Sequence, residues 1–308
     1  MFVVFGATGL IGRAIQVALA ARGACYIGFG RLTCIRCDNT GRRIISEAKN
    51  PTERASVLQS CPATEAVIFA AGPALATTGP DVLRAAHLTS LNEAFEVLSQ
   101  RWRRGLPFVY TSSGLVYGRR PSPRPIKETD PAVPNSVYGE IKLRCEERLA
   151  KWAVRVGAQH LAARLFNVAG PGQVNGIVMD IARQVAEIRS GTRVEFQLRS
   201  NTPILDVTDV REAAEGLIRL AEGPAGPAVV NLCSGRPLTT DDMIVAARKM
   251  IGCDVPVTYE DDRGPCEALI GDPVLMTATT GWRAQKHFDQ ILADVILSFQ
   301  TSKENQHG

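Results

Sequence analysis

Three groups of residues in this chain have the types and spacing that chemistry needs. The first is Gly6-Ala7-Thr8-Gly9-Leu10-Ile11-Gly12, which follows an apolar run, Phe2 to Phe5, and opens a helical pattern. In a strand–turn–helix of this kind the first glycine permits the tight turn and the second lets backbone approach a pyrophosphate. The third allows close helix–strand packing, and the helix N-terminus favours the phosphate charge. The spacing is G-x-x-G-x-x-G, and the strand and helix on either side support a dinucleotide site. The second group lies about twenty residues on, where an acid would bond the ribose 2′-hydroxyl of NAD. Here the residues are Gly28-Phe29-Gly30-Arg31, with no carboxylate. A guanidinium there suits a 2′-phosphate, so NADP(H) is favoured and NAD(H) stays possible. The third group is Tyr138-Gly139-Glu140-Ile141-Lys142, with Tyr and Lys on one helix face. A phenol, with an ordinary pKa near 10, exchanges protons more easily when an ammonium favours its phenolate. Alone, such a pair is also an ordinary half-exposed helix face. It gains meaning from Thr111-Ser112-Ser113-Gly114-Leu115-Val116-Tyr117-Gly118, about 25 residues earlier, where a hydroxyl can bond the oxygen that exchanges its proton with Tyr138.

Elements of two kinds must position these groups. Strands are expected at Phe2 to Phe5, Cys25 to Phe29, Ala66 to Ala70, Pro107 to Thr111 and Leu161 to Val168. Helices are expected at Ile11 to Ala21, Glu53 to Leu58, Asp81 to Gln100 and Val137 to Val156, the last capped by Ser136. Strand–helix–strand repetition implies a parallel sheet covered on both faces. Pro121 to Pro134 holds five prolines and reads as a loop. The fold class is therefore α/β, a Rossmann-type doubly wound parallel sheet with a smaller C-terminal substrate-binding region. The expected division is residues 1–167 for the dinucleotide domain, to which the chain returns at about 204–235, and 168–203 with 236–308 for the substrate region.

With 308 residues, 45% hydrophobic and 21% charged, the chain has the composition of a globular protein of about two domains. A net charge of +4 and scattered arginines argue against nucleic acid as a partner. No apolar run is long enough to span a membrane, and Met1 to Phe5 lacks the flanks of a signal peptide. Cys34-Ile35-Arg36-Cys37 is the only C-x-x-C, without a second pair, and reads as reduced thiols in a cytoplasmic protein.

Taken in order, the motifs resemble those of the extended short-chain dehydrogenases/reductases of the NAD-dependent epimerase/dehydratase family, which act on nucleotide sugars. The resemblance runs over nearly the whole chain. After the glycine loop come Ala70-Ala71-Gly72, the Ser-Ser…Tyr-Gly segment and the Tyr/Lys pair. Arg164-Leu165-Phe166-Asn167-Val168-Ala169-Gly170-Pro171-Gly172, Asp206-Val207-Thr208-Asp209-Val210, Asn231-Leu232-Cys233-Ser234-Gly235 and Gly271-Asp272-Pro273…Gly281-Trp282 follow. The resemblance implies Ser113, Tyr138 and Lys142 as catalytic residues. It implies cofactor contacts at Gly6, Thr8, Gly9, Leu10, Ile11, Gly12, Arg31, Glu47 (near the adenine), Ala70, Ala71 and Gly72, with Tyr138 and Lys142. Substrate contacts are implied at Ser113, at Asn167 for the diphosphate, and at Arg199 and Arg263. Arg199 stands in because the arginine of many UDP-sugar epimerases is Thr202 here. His87 stands where the family often has an asparagine and carries no assigned role.

Departures narrow the reaction. Gly114 and Leu115 occupy the positions of the two carboxylates of sugar 4,6-dehydratases, and Ser112 and Gly172 those of the Cys/His pair of fucose-synthase-like enzymes. The resemblance then implies oxidoreduction at C4 of a nucleotide-diphosphate sugar, most simply by a 4-keto(-6-deoxy) sugar reductase. A 4-epimerase is the alternative, and a non-catalytic dinucleotide-binding protein a further one. It also implies a homodimer through the helices at 81–100 and 137–156, for which Leu83, Leu91, Leu98, Leu143 and Leu149 are candidate contacts, although packing within the protomer is an equally ordinary use for them.

Overall fold

A computed structural model of the chain describes residues 1–73, 79–99, 102–261 and 267–307. The chain opens with β1 (Phe2–Phe5), α1 (Leu10–Ala21) and β2 (Tyr26–Phe29), then a hairpin of β3 (Thr33–Cys37) and β4 (Arg43–Glu47). Next come α2 (Pro51–Gln59), β5 (Ala66–Phe69), α3 (Pro80–Ser99) and β6 (Pro107–Ser113), which runs into a 3-10 turn at Gly114–Tyr117. After the proline-rich loop follow α4 (Val137–Val156), β7 (Gln159–Leu165), β8 (Asn167–Ala169), α5 (Ile177–Arg189), β9 (Phe196–Ser200), β10 (Pro203–Leu205) and β11 (Val207–Asp209). The remainder is α6 (Val210–Glu222), β12 (Val229–Leu232), β13 (Leu238–Thr239), α7 (Thr240–Ile251), β14 (Val257–Asp261), β15 (Glu267–Leu269), α8 (Val274–Thr280) and α9 (Phe288–His307).

The main sheet has the order β12-β7-β6-β5-β1-β2-β3-β4. Pairing is parallel from β12 to β2 and antiparallel from β2 through β4. From β1 the chain goes to β2 on one side and later to β5 on the other. The crevice above the carboxyl ends of β1 and β5 is therefore the switch point at which such sheets bind ligands.

Strand alternation divides the sheet into two cores. Val3, Phe5, Val67, Phe69, Phe108 and Tyr110 join α3 and α4 on one face, while Phe2, Val4, Ile68 and Val109 join α1 and α6 on the other. A third core, built by α5, α7, α9 and β9, underlies the smaller region. Residues 274–284, assigned from the sequence to that smaller region, instead bury Met276 and Trp282 against the face covered by α6.

One expectation changes, and two other groups of residues find their places. The strand foreseen from Leu161 to Val168 is two elements, β7 and β8, and β8 leaves the main sheet to pair with β11. Cys34 and Cys37 lie on one strand and bury toward opposite faces of the sheet, so they cannot converge on one ion or on each other. Leu83, Leu91, Leu98 and Leu149, candidates for a dimer contact, are buried in the protomer's own core, and Leu143 packs against a smaller cluster.

Candidate active site

The glycine loop turns from β1 into α1 as its residue types require. Gly6 has φ +81°, and a Cβ there would lie 2.4 Å from the Ala70 carbonyl oxygen; one on Gly12 would lie 2.1 Å from the Gly6 oxygen. Gly9 is the N-cap of α1 and no side chain caps it, leaving the first amides of the helix to face the crevice. Gly6, Thr8, Gly9, Arg31, Ala70, Ala71 and Gly72 line one cleft of about 490 Å³ above the switch point. A backbone cradle of this kind, closed to any added Cβ, fits a dinucleotide pyrophosphate. Leu10 and Gly12 belong to the same turn, whereas Ile11 lines a neighbouring cleft.

That second cleft, about 420 Å³, holds Ser113, Tyr138 and Lys142 together. Ser113 ends β6, and its hydroxyl accepts the Leu115 amide at 3.2 Å, capping the 3-10 turn. Ser136 caps α4 by accepting the Gly139 amide at 3.2 Å. The absence of a side chain at Gly139 then matters, since a Cβ there would sit 2.3 Å from the Leu115 carbonyl oxygen. This close approach brings the first turn of α4, with Tyr138, against the turn that follows Ser113. Lys142 is buried, donates to the Thr111 carbonyl at 2.9 Å, and holds its ammonium 5.5 Å from the centre of the Tyr138 ring.

Behind these residues α4 is locked in register by a buried polar network. Glu146 accepts from Ser112 and takes two hydrogen bonds from Arg164, at 3.0 and 2.7 Å. Arg164 also lies over the Tyr117 ring, and the Tyr117 hydroxyl donates to Asn231 at 2.8 Å. Ser112 is thus a structural donor on β6. His87, from α3, meets the Tyr138 ring edge-on with centroids 5.6 Å apart, and its Nε2 is 3.0 Å from the Pro73 carbonyl oxygen. Burial first, and then the Lys142 charge, push the His87 pKa down to about 4, so the ring is neutral beside Tyr138 and Lys142.

The other assigned residues separate. Asn167 lines the Tyr138 cleft and donates through Nδ2 to the Asp206 carbonyl at 3.2 Å. Arg199 lies in a third cleft, of about 760 Å³, with Arg119, Arg183, Arg193 and Thr202; Ile177 borders both clefts. Glu47 is exposed on the edge strand, ion-paired to Lys49 at 2.7 Å, and outside the lining of the first cleft. Arg263 lies outside the described residues. Sequence reasoning missed Lys49, Arg54 and Glu93, which line the first cleft. A charged residue in a polar helix reads as surface, so no signal marked Arg54.

Residues 2–233 match the NAD dependent epimerase/dehydratase family. The chain belongs to that family. Among its relatives, a GDP-6-deoxy-D-mannose reductase of Pseudomonas aeruginosa is 30% identical over 63% of this chain and 66% of its own length. A UDP-glucose 4-epimerase of Lacticaseibacillus casei is 33% identical over 57% and 58%. These two matches span somewhat less than two thirds of each relative. A dTDP-6-deoxy-L-talose 4-dehydrogenase (NAD(P)(+)) of Kitasatospora kifunensis is 26% identical over 97% of this chain and 95% of its own. Among solved structures, RMD from Pseudomonas aeruginosa complexed with NADPH superimposes with a TM-score of 0.82 at 24% identity, covering 98% of this chain and 99% of that one. The overall fold of that structure is thus shared over nearly the whole chain. Among the described residues no helix is long and apolar enough to cross a membrane.

Proposed function

We propose that the chain is an NADP(H)-dependent reductase of a nucleotide-linked 4-keto-6-deoxy sugar, acting at C4. One observation carries this reading. Around Ser113, Tyr138 and Lys142, the described cleft residues are hydroxyl, amide and apolar side chains, with no carboxylate, thiol or imidazole among them. Eliminating water, or inverting a carbon beside a carbonyl, needs a further acid or base; moving a hydride with one proton does not. The nicotinamide, when bound, supplies the hydride. The Tyr138 hydroxyl gives its proton to O4 as the alcohol forms, the Ser113 hydroxyl holds that oxygen, and the Lys142 ammonium stabilises the phenolate left behind. Asn167, Arg199 and Arg263 are assigned to the diphosphate.

Leu115, Phe166 and Leu269 give the cleft an apolar wall that suits a C6 methyl group. Two of the relatives above are named for 6-deoxy sugars, and the RMD structure was solved with NADPH. Arg31 at the end of β2 supports NADP(H). The 33% identity to a UDP-glucose 4-epimerase favours a second reading, in which the same three residues oxidise and then re-reduce C4.

Both are tested by incubation with GDP-, dTDP- and UDP-linked 4-keto-6-deoxy sugars and parent sugars. Consumption of NADPH in step with a reduced product supports the reductase. A mixture of C4 epimers with the nicotinamide unchanged establishes the epimerase, and no turnover of any sugar rejects both.

A further inference from the structure

We propose that Arg54 is a positioning residue for recognition of the 2′-phosphate of NADP(H), acting through Arg31 and Glu93. The proposal rests on the NADP(H) reading above. Arg54 sits on α2, 7% exposed, and its guanidinium joins three separate parts of the chain. Nε donates to the Ala48 carbonyl at 3.2 Å, Nη2 to the Arg31 carbonyl at 2.7 Å, and Nη1 to the Glu93 carboxylate at 3.0 Å. Burying a guanidinium is costly unless its rigid fork of donors finds partners, and here each of its nitrogens has one.

Two consequences follow for the cleft. Arg31 lies outside any strand or helix, yet its backbone is held from several directions. Gly30 donates to the Thr33 carbonyl at 2.8 Å, Ala48 to the Leu32 carbonyl at 3.1 Å, and Arg54 grips the Arg31 carbonyl between them. The exposed Arg31 side chain therefore projects from a fixed base, which lowers the ordering cost of binding. The second consequence is electrostatic. Glu93, from α3, lines the same cleft as Arg31 and Lys49 and is 37% exposed. A bare carboxylate there would oppose a phosphate, and the Arg54 charge offsets it. In this scheme Arg54, at the wall of the cleft, acts through its neighbours. It sets the position of one recognising side chain and cancels the charge of an unfavourable one.

The test is equilibrium binding to the full chain, with NADPH, NADH and adenosine 2′,5′-bisphosphate titrated by fluorescence or calorimetry. Arg54→Met is expected to weaken NADPH and the bisphosphate by about tenfold, the effect of one charge-assisted contact, with NADH changed by less than about twofold. Arg54→Lys keeps the charge without the fork and recovers part of the loss. Glu93→Gln is expected to leave NADPH binding equal or tighter, a sign opposite to that of Arg54→Met, whereas a merely structural ion pair weakens with either substitution. Equal loss of both cofactors in Arg54→Met, or NADPH weakened in Glu93→Gln, overturns the proposal. Should Arg54→Met fail to fold, Arg54→Lys and Glu93→Gln decide by the same signs. If the unmodified chain binds NADPH and NADH equally and Arg31→Ala changes neither, the NADP(H) reading itself fails. A kept preference with Arg54→Met silent overturns this proposal alone.

Discussion

Protonation of His87 gives the sharpest quantitative expectation. The ring is 2% exposed, packed edge-on to Tyr138, and held to a pKa of about 4 by burial and by Lys142, against an ordinary 6.5. Between those values the unfolded chain takes up a proton that the folded chain refuses, so folding loses stability as the pH falls through this window. At about 1.4 kcal/mol per pH unit, the full gap is worth about 3 kcal/mol at the acid end and about 2 kcal/mol at pH 5. His87→Asn removes the titrating group and keeps a polar amide. Urea denaturation of both proteins at pH 7 and pH 5 isolates the effect, because every other titrating group is common to the pair. The variant is expected to be less stable at pH 7 through lost packing, yet to lose about 2 kcal/mol less than the parent on acidification to pH 5. Equal acid losses in the two proteins would refute the reasoning.

Other expectations concern catalysis, the buried network and assembly. Tyr138→Phe should bind cofactor normally while turnover falls by roughly 10²–10⁴, the usual worth of a positioned general acid; near-full turnover in the folded variant ends that assignment. Ser113→Ala should be milder in the same assay, since it removes an orienting hydroxyl and no proton carrier. Glu146→Ala leaves Arg164 buried without its partner and should cost about 3–5 kcal/mol in denaturant unfolding, more than a paired Glu146→Leu/Arg164→Met exchange. A homodimer through exposed residues of α3 and α4, such as Val82 and Val154, is expected in light scattering; a monomer mass at micromolar concentration removes it.

The gathering of Ser113, Tyr138 and Lys142 in one cleft was legible because its signals are local. The Tyr138/Lys142 spacing fixes one helix face, and Ser136 and Gly139 fix how that helix begins. What joins Tyr138 to Ser113 is a close backbone approach at Leu115, for which a single glycine in a polar stretch is a faint sign. The hairpin of β3 and β4 left a better one. Asp38 accepts from the Thr40 and Arg42 amides, and Gly41 turns at φ +80°, in a five-residue connection between β3 and β4. It escaped notice because β4 is exposed along its whole length, so no alternation marks it. The leucines of α3 and α4 left two uses open for a related reason: apolar spacing shows that a face is buried and is silent about what buries it. Arg54 and Glu93, nearly forty residues apart in sequence, meet only through packing of α2 against α3.

The closing strand of the sheet has a consequence for how the molecule is made. β12 is drawn from residues 229–232 and pairs with β7, and α6 just before it covers the face shared with α1. When a ribosome has released β7 and β8, the cofactor half still has an open edge and an uncovered apolar face. Both stay so until the first part of the smaller region, α5 through β10, has been synthesised and α6 and β12 follow it. During that interval the edge of β7 is the natural place for a second nascent chain to pair. A fragment ending near residue 168 keeps that exposure permanently, so the glycine loop and Tyr138 cannot be cut out as an independent module. The chain must pass through α5 and β9 of the smaller region, and make α6 and β12, before the larger one can close.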